Sequence, residues 1–138
     1  MKKKLNSILL IDDDKATNFL HEMVLNDMDC TEEIVAMESA IDALEYLKST
    51  VDGKHPQPDL IFLDINMPAM NGWEFLVEYE KLDELKKGRL VLMMLTTSLN
   101  PDDEEAANLL PLVAGFLSKP LTIEMVEEVL KENFADLL

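Results

Sequence analysis

Four short stretches hold the residues best suited to chemistry: Asp12-Asp13-Asp14, Asp64, Thr96-Thr97-Ser98 and Ser118-Lys119-Pro120. Each directly follows an apolar run of strand length, so each falls where a strand would end. Carboxylates gathered on one rim repel one another, and a hard divalent cation with oxygen ligands relieves that repulsion. Magnesium suits such a set, since it takes a few carboxylates and keeps several waters. A lysine facing the same place can bind the oxygens of an incoming phosphoryl group, and a hydroxyl can contact another. Singly, each stretch has a plainer reading. Asp14 fits a helix N-cap equally well, Lys-Pro is a common loop pair, and Thr-Thr-Ser suits a turn. Their order along the chain, with acidic groups on two different strand ends, favours the joint reading.

The elements that must position these groups alternate in kind. Residues 8–11, 34–37, 60–63, 90–95 and 115–117 read as strands, and their aliphatic character suits a sheet covered on both faces. Between them lie helical periods. Phe19, Leu20, Met23, Val24 and Leu25 predict one inward stripe. Ser39 with Asp42 predicts a cap for a helix through Ala43, Leu44 and Leu47. Residues 72–82 read as a third helix, and Pro101-Asp102-Asp103 as the start of a fourth. Thr122 opens a fifth, carrying Met125, Val126, Val129, Leu130 and Phe134. Five β-then-α units predict a doubly wound α/β domain, a parallel sheet between two helical layers. Function in such sheets gathers at the carboxyl ends of the strands, so the four stretches should converge.

The 138 residues suit one domain, spanning 1–138 with a core of about 7–134, and 48% apolar residues are enough to fill that core. Acidic residues outnumber basic ones 28 to 12, for a net charge of −16. Such a chain repels nucleic acid and anionic lipid, so neither is an expected direct partner; basic faces of proteins fit better. Cys30 is the only cysteine, which excludes an intrachain disulfide. With no apolar stretch of signal-peptide or membrane-span length, a cytoplasmic location is expected.

Together the motifs resemble the receiver domain of bacterial response regulators in two-component systems, in its single-domain, chemotaxis-regulator-like form, over about residues 7–134. They are Ile-Leu-Leu-Ile-Asp-Asp-Asp at 8–14, Asp-Leu-Ile-Phe-Leu-Asp-Ile-Asn-Met-Pro at 59–68, Met-Asn-Gly at 70–72, Leu-Thr-Thr-Ser at 95–98 and Leu-Ser-Lys-Pro at 117–120. The resemblance implies a flavodoxin-like (βα)5 fold with strand order 2-1-3-4-5. It implies that Asp64 is the phosphoacceptor, taking a phosphoryl group from a sensor histidine kinase or histidine phosphotransfer protein. Magnesium, with manganese able to substitute, would be ligated by Asp13, Asp64 and the backbone carbonyl of Asn66, while Asp12 holds a metal-bound water. Lys119 would bind a phosphoryl oxygen, with a cis peptide bond to Pro120. Thr96 would be the switch hydroxyl and Phe116 the switching aromatic, which together reshape the face of the fourth helix, fifth strand and fifth helix. Asn66 and Ser98 would tune self-dephosphorylation.

Two positions depart from the family pattern. The segment from Thr96 to Lys119 is one residue longer than usual, so Thr97 competes for the switch role; Thr96 is favoured because it directly follows the aliphatic run. Phe116 lacks a tyrosine's hydroxyl, and a fixed core phenylalanine is the alternative to a moving one. Aspartyl-phosphate hydrolases share the acid, metal and lysine, but carry a second acid two residues after the nucleophile; Asn66 cannot titrate, so an enzyme is not expected. A receiver that no longer takes phosphate is disfavoured by the complete acidic set, and an EF-hand loop by its missing glycine and glutamate. Because the chain ends soon after the fifth helix, output is expected through docking to a downstream protein or through phosphorelay.

Overall fold

The aliphatic runs form five strands: β1 (Leu5–Ile11), β2 (Thr31–Met37), β3 (Leu60–Asp64), β4 (Val91–Thr96) and β5 (Val113–Ser118). The computed structural model describes residues 3–50, 52–82, 91–97 and 100–137. Every pairing is parallel, in the order β2-β1-β3-β4-β5. This is the doubly wound flavodoxin-like order, and it reverses direction beside β1. Strand β2 begins at Thr31, earlier than its aliphatic run suggests. As an edge strand it leaves Glu32 and Glu33 exposed, so its polar half carries no apolar signal. Leu90, expected to open β4, lies outside the described residues.

Alternation along the central strands divides the core into two layers. Leu9, Ile11, Ile61, Leu63, Leu92 and Met94 face one side, against α2 (Ala40–Lys48), α3 (Gly72–Glu80) and Ala107 of α4 (Pro101–Asn108). Ile8, Leu10, Leu60, Phe62, Met93 and Leu95 face the other, against α1 (Lys15–Met28) and α5 (Ile123–Asn133). With both faces buried, a one-residue slip would exchange the side chains of the two layers, and their packing is what resists it. Caps close the helices as their sequences suggest. Ser39 accepts the Asp42 amide, and Asn71 and Glu74 form a reciprocal capping box. The third helix ends at Glu80; Leu82 is reached by a tighter final turn, its amide bonding the Tyr79 carbonyl.

The inward stripe of α1 differs from expectation. Phe19, Leu20 and Met23 are 63%, 52% and 49% exposed, while Asn18, His21 and Leu25 are buried. Counting back from Leu25 by helical turns lands on His21 and Asn18. That end of the helix meets backbone groups at strand ends, which select hydrogen-bonding side chains rather than apolar ones.

Helix α3 is pressed against the end of β3. The Gly72 amide donates to the Ile65 carbonyl at 2.8 Å. A Cβ at Gly72 would lie 2.8 Å from the Asp64 carbonyl oxygen and 3.0 Å from the Ile65 Cα. Both are backbone atoms with no freedom to swing aside. We therefore expect Gly72→Ala to push α3 away from β3 and to cost about 1–3 kcal/mol by overpacking. Urea denaturation reads the loss, and an unchanged midpoint would contradict the close approach.

Candidate functional site

Strand register assembles the site. Ile11 pairs with Leu63, so the next residues, Asp12 and Asp64, end neighbouring strands side by side, about 4.8 Å apart in backbone spacing. On its other side Asp64 pairs with Leu95, which puts Thr96 one step beyond. Thr96 pairs with Ser118, bringing Lys119 to the same rim, where its amide donates to the Thr96 carbonyl at 2.7 Å. The Lys119 side chain then crosses back over the sheet ends. Its Nζ lies 2.8 Å from Asp12 Oδ2 and 3.2 Å from Asp64 Oδ1. Asp12, Asp13 and Asp64 each offer a carboxylate oxygen, all within 4.8 Å of one another. Asp12 and Asp64 are buried and Asp13 is exposed, so the cluster has one open side.

The electrostatics describe a place short of positive charge. Burial, and next the charge of Asp12, push Asp64 up to about 6, although Lys119 and the Asn66 amide favour its ionised form. Burial opposes the charge on Lys119, but its hydrogen bond to Asp12 and the charges of Asp12 and Asp64 outweigh that, raising its pKa above the usual lysine value. Among the described residues, one ammonium for three carboxylates leaves the cluster short of cationic charge. A divalent ion matches that deficit, and the all-oxygen donor set is the kind hard cations take. The chemistry of these residues therefore fits such an ion. The buried ion pairs are no sign of stability in themselves, since burying charges costs more than most pairings return.

The remaining candidates sit as follows. Thr96 closes β4 and is 1% exposed, whereas Thr97 is exposed. Asn66 is exposed just past β3. The Lys119–Pro120 bond is cis. Phe116 pairs with Met94 on the neighbouring strand and packs, partly buried, on the α2–α3 core layer. Ser98 lies outside the described residues. Asp14 is an N-cap, its carboxylate accepting from the Ala16 amide and the Thr17 hydroxyl. Two residues at the rim escaped the reading of the sequence. Asn18 donates to the Asp12 carbonyl at 2.9 Å, and His21 Nε2 accepts the Leu121 amide at 3.2 Å. Extending the inward period of α1 back from Leu25 would have found both.

A parallel sheet with an acidic, lysine-bridged cluster where its strand order reverses defines a doubly wound α/β domain with its candidate site at the switch point. Residues 8–131 match the family of the response regulator receiver domain, and the chain belongs to that family, the phosphorylation-dependent switches of two-component signalling. Among relatives, the response regulator Rcp1 of Synechocystis sp. is 35% identical over 97 residues, which cover 70% of this chain and 65% of that one. The match thus spans just under two thirds of that relative. A manganese-bound structure of Rcp1 overlays with a TM-score of 0.72 at 29% identity, covering 96% of each chain. A two-component response regulator from Cytophaga hutchinsonii overlays with a TM-score of 0.81 at 30% identity, covering 96% of this chain and 99% of that one. A receiver protein from Dyadobacter fermentans gives 0.80 at 32%, covering 93% and 97%. No helix among the described residues is long and apolar enough to cross a membrane.

The raised Asp64 value has a consequence for stability. An unfolded aspartate titrates at about 3.9, so between about pH 4 and 6 the folded protein holds a proton that the unfolded chain has lost. Stability from this group is therefore present at low pH and lost as pH rises, with the full cost standing above about 6. In chelator, Asp64→Asn should be more stable than the parent at about pH 7.5 by on the order of 2 kcal/mol, the gap closing towards about pH 4. Urea midpoints at the two pH values test this. An equal gap at both would show that Asp64 is not strained.

Proposed function

We propose that this chain is a phosphoacceptor switch in which Asp64 takes a phosphoryl group from a sensor histidine kinase or histidine phosphotransfer protein. One observation carries the reading: the Lys119 ammonium is shared between Asp12 and Asp64, in a cluster with Asp13 whose oxygens lie within 4.8 Å. Asp12, Asp13, Asp64 and the Asn66 carbonyl would hold magnesium or manganese, which when bound neutralises charge on the transferring oxygens. The Asp64 carboxylate oxygen bonds to phosphorus as the phosphorus–nitrogen bond of the donor histidine breaks, and the product is an acyl phosphate. Lys119 exchanges a carboxylate oxygen for a phosphoryl oxygen. This transfer needs positioning and charge neutralisation more than a titrating acid or base, which fits Asn66 in place of a second acid.

Thr96, at the end of the neighbouring strand, is the hydroxyl that closes on the phosphoryl group, and Phe116 on the strand beyond responds through its packing. The changed surface is that of α4, β5 and α5. Output passes to a protein partner by docking or by phosphorelay, in the cytoplasm, without direct contact with nucleic acid or membrane. The chain acts as a switch rather than an enzyme. Asn66 is small, polar and exposed, so water reaches the acyl phosphate and the signal decays by itself.

Incubation with acetyl phosphate and magnesium should add the mass of one phosphoryl group to the parent and nothing to Asp64→Asn. Lys119→Met should slow the gain by roughly a hundred-fold, the scale of removing one preorganised group that meets developing charge. Mass spectrometry over time decides it. A parent that gains no mass, or an Asp64→Asn variant that gains as much, would overturn the assignment. A phosphorylated form stable for days in phosphatase-free magnesium buffer would contradict the role given to Asn66.

A further inference from the structure

Helix α1 turns two buried polar side chains towards the rim, and neither belongs to the acidic cluster. Asn18 is 5% exposed and His21 is 1% exposed. Asn18 Nδ2 donates to the Asp12 carbonyl at 2.9 Å and reaches the Met37 carbonyl at 3.5 Å, so it holds the ends of β1 and β2. His21 Nε2 accepts the amide of Leu121, two residues beyond Lys119. An imidazole nitrogen that accepts carries no proton, so this ring is neutral with its hydrogen on Nδ1. Burial favours that neutral form, and the Lys119 charge adds to it, against the opposing influence of Asp12. The loop holding Lys119 is thus tied at both ends. On the strand side the Lys119 amide bonds the Thr96 carbonyl; Pro120 has no amide hydrogen to offer; on the helix side Leu121 bonds His21.

We infer that His21 is a positioning residue for Lys119, and that α1 acts as a rigid spacer setting the distance between Lys119 and Asp12. Residues 18 and 21 are three apart on one helix, a rise of about 4.5 Å that the helix does not let vary. One of them fixes the backbone of Asp12, and the other fixes the backbone that carries Lys119. The 2.8 Å contact joins two side chains whose backbones these attachments hold. Losing the His21 acceptor would leave the buried Leu121 amide unpaired, which drives the loop to move until the amide finds water. Lys119 would move with it. This inference deepens the phosphoacceptor reading and rests on it for its kinetic consequence, but the geometry it describes can be read without any phosphoryl transfer.

The experiment compares the parent with His21→Gln, whose side-chain oxygen reaches a similar place as an acceptor, and with His21→Leu and His21→Met, which offer no comparable acceptor. Magnesium affinity is measured by calorimetry with the metal alone, phosphorylation by acetyl phosphate at saturating magnesium, and the Lys119 ammonium by its 15N resonance. In the parent, a scalar coupling between Leu121 N and His21 Nε2 reports the hydrogen bond directly. The two apolar variants should lose roughly ten-fold or more in phosphorylation rate, the scale expected for a displacement of under an ångström or so, and should shift the Lys119 resonance. Their magnesium affinity should hold or rise, because the carboxylates are untouched and a displaced ammonium competes less for Asp12 and Asp64. His21→Gln should restore rate and resonance together. Apolar variants with the parent's rate and Lys119 resonance would overturn the inference, as would a Gln variant as slow as they are, or a magnesium affinity that falls in step with the rate. If the parent takes no phosphoryl group, the phosphoacceptor reading fails, while the Lys119 resonance still decides the role of His21.

Discussion

Two carboxylates, those of Asp12 and Asp64, are buried side by side at the ends of neighbouring strands, and their mutual repulsion is the constraint around which the rim is built. Burial and that repulsion together hold Asp64 at about 6, well above an ordinary aspartate. Neither group can move away, because each continues a strand whose preceding residues lie in the core. The strain is relieved only by positive charge brought to the spot. Lys119 supplies part of it from the far side of the sheet, and the rest is left for a cation or a proton. A site in this condition is responsive, since whatever charge arrives changes the balance among all its members.

Holding like charges together requires a frame that does not yield. Apolar layers on both faces of the sheet provide it, with α2 and α3 on one side and α1 and α5 on the other. Parallel pairing matters here as much as burial. In a parallel sheet all the strands end on the same rim, so residues separated by fifty or a hundred positions arrive at one place through register alone. Backbone ties complete the frame: Gly72 against β3, Lys119 against β4, and Asn18 across the ends of β1 and β2. Each of these ties attaches to a strand that carries, or directly precedes, one of the charged or hydroxyl groups.

Much of this was legible in the chain itself. The aliphatic runs of β1, β3 and β4 announced buried parallel strands, and the acidic and hydroxyl groups immediately after them announced the rim. Caps at Ser39, Asn100 and Thr122 sit where the helical patterns begin. Strand β2 was only half visible because an edge strand shows water one flank and need not be aliphatic. The inward face of α1 was misread for a related reason. Phe19, Leu20 and Met23 made the more apolar set, but a helix that abuts strand ends meets carbonyls and amides there, and so buries Asn18 and His21. Hydrophobic periodicity finds the part of a helix that faces side chains. It does not find the part that faces backbone, and the latter is where a site of this kind is supported.

That distinction bears on how a charge at Asp64 would be felt elsewhere. A phosphoryl group adds up to about two negative charges beside carboxylates already in excess. Lys119 is the cation of the described cluster, divided between Asp12 and Asp64, and a third acceptor would draw it from one of them. Its backbone is tied to the Thr96 carbonyl on one side and, two residues on, to His21 on the other. A displacement of the loop that carries the ammonium would therefore load the end of β4 and the inner face of α1 together. Side chains packed at crystal-like density transmit such a load instead of absorbing it. A route from charge to shape through this short loop would have two attachments, the Thr96 end leading towards α4 and β5 and the His21 end towards α1 and α5.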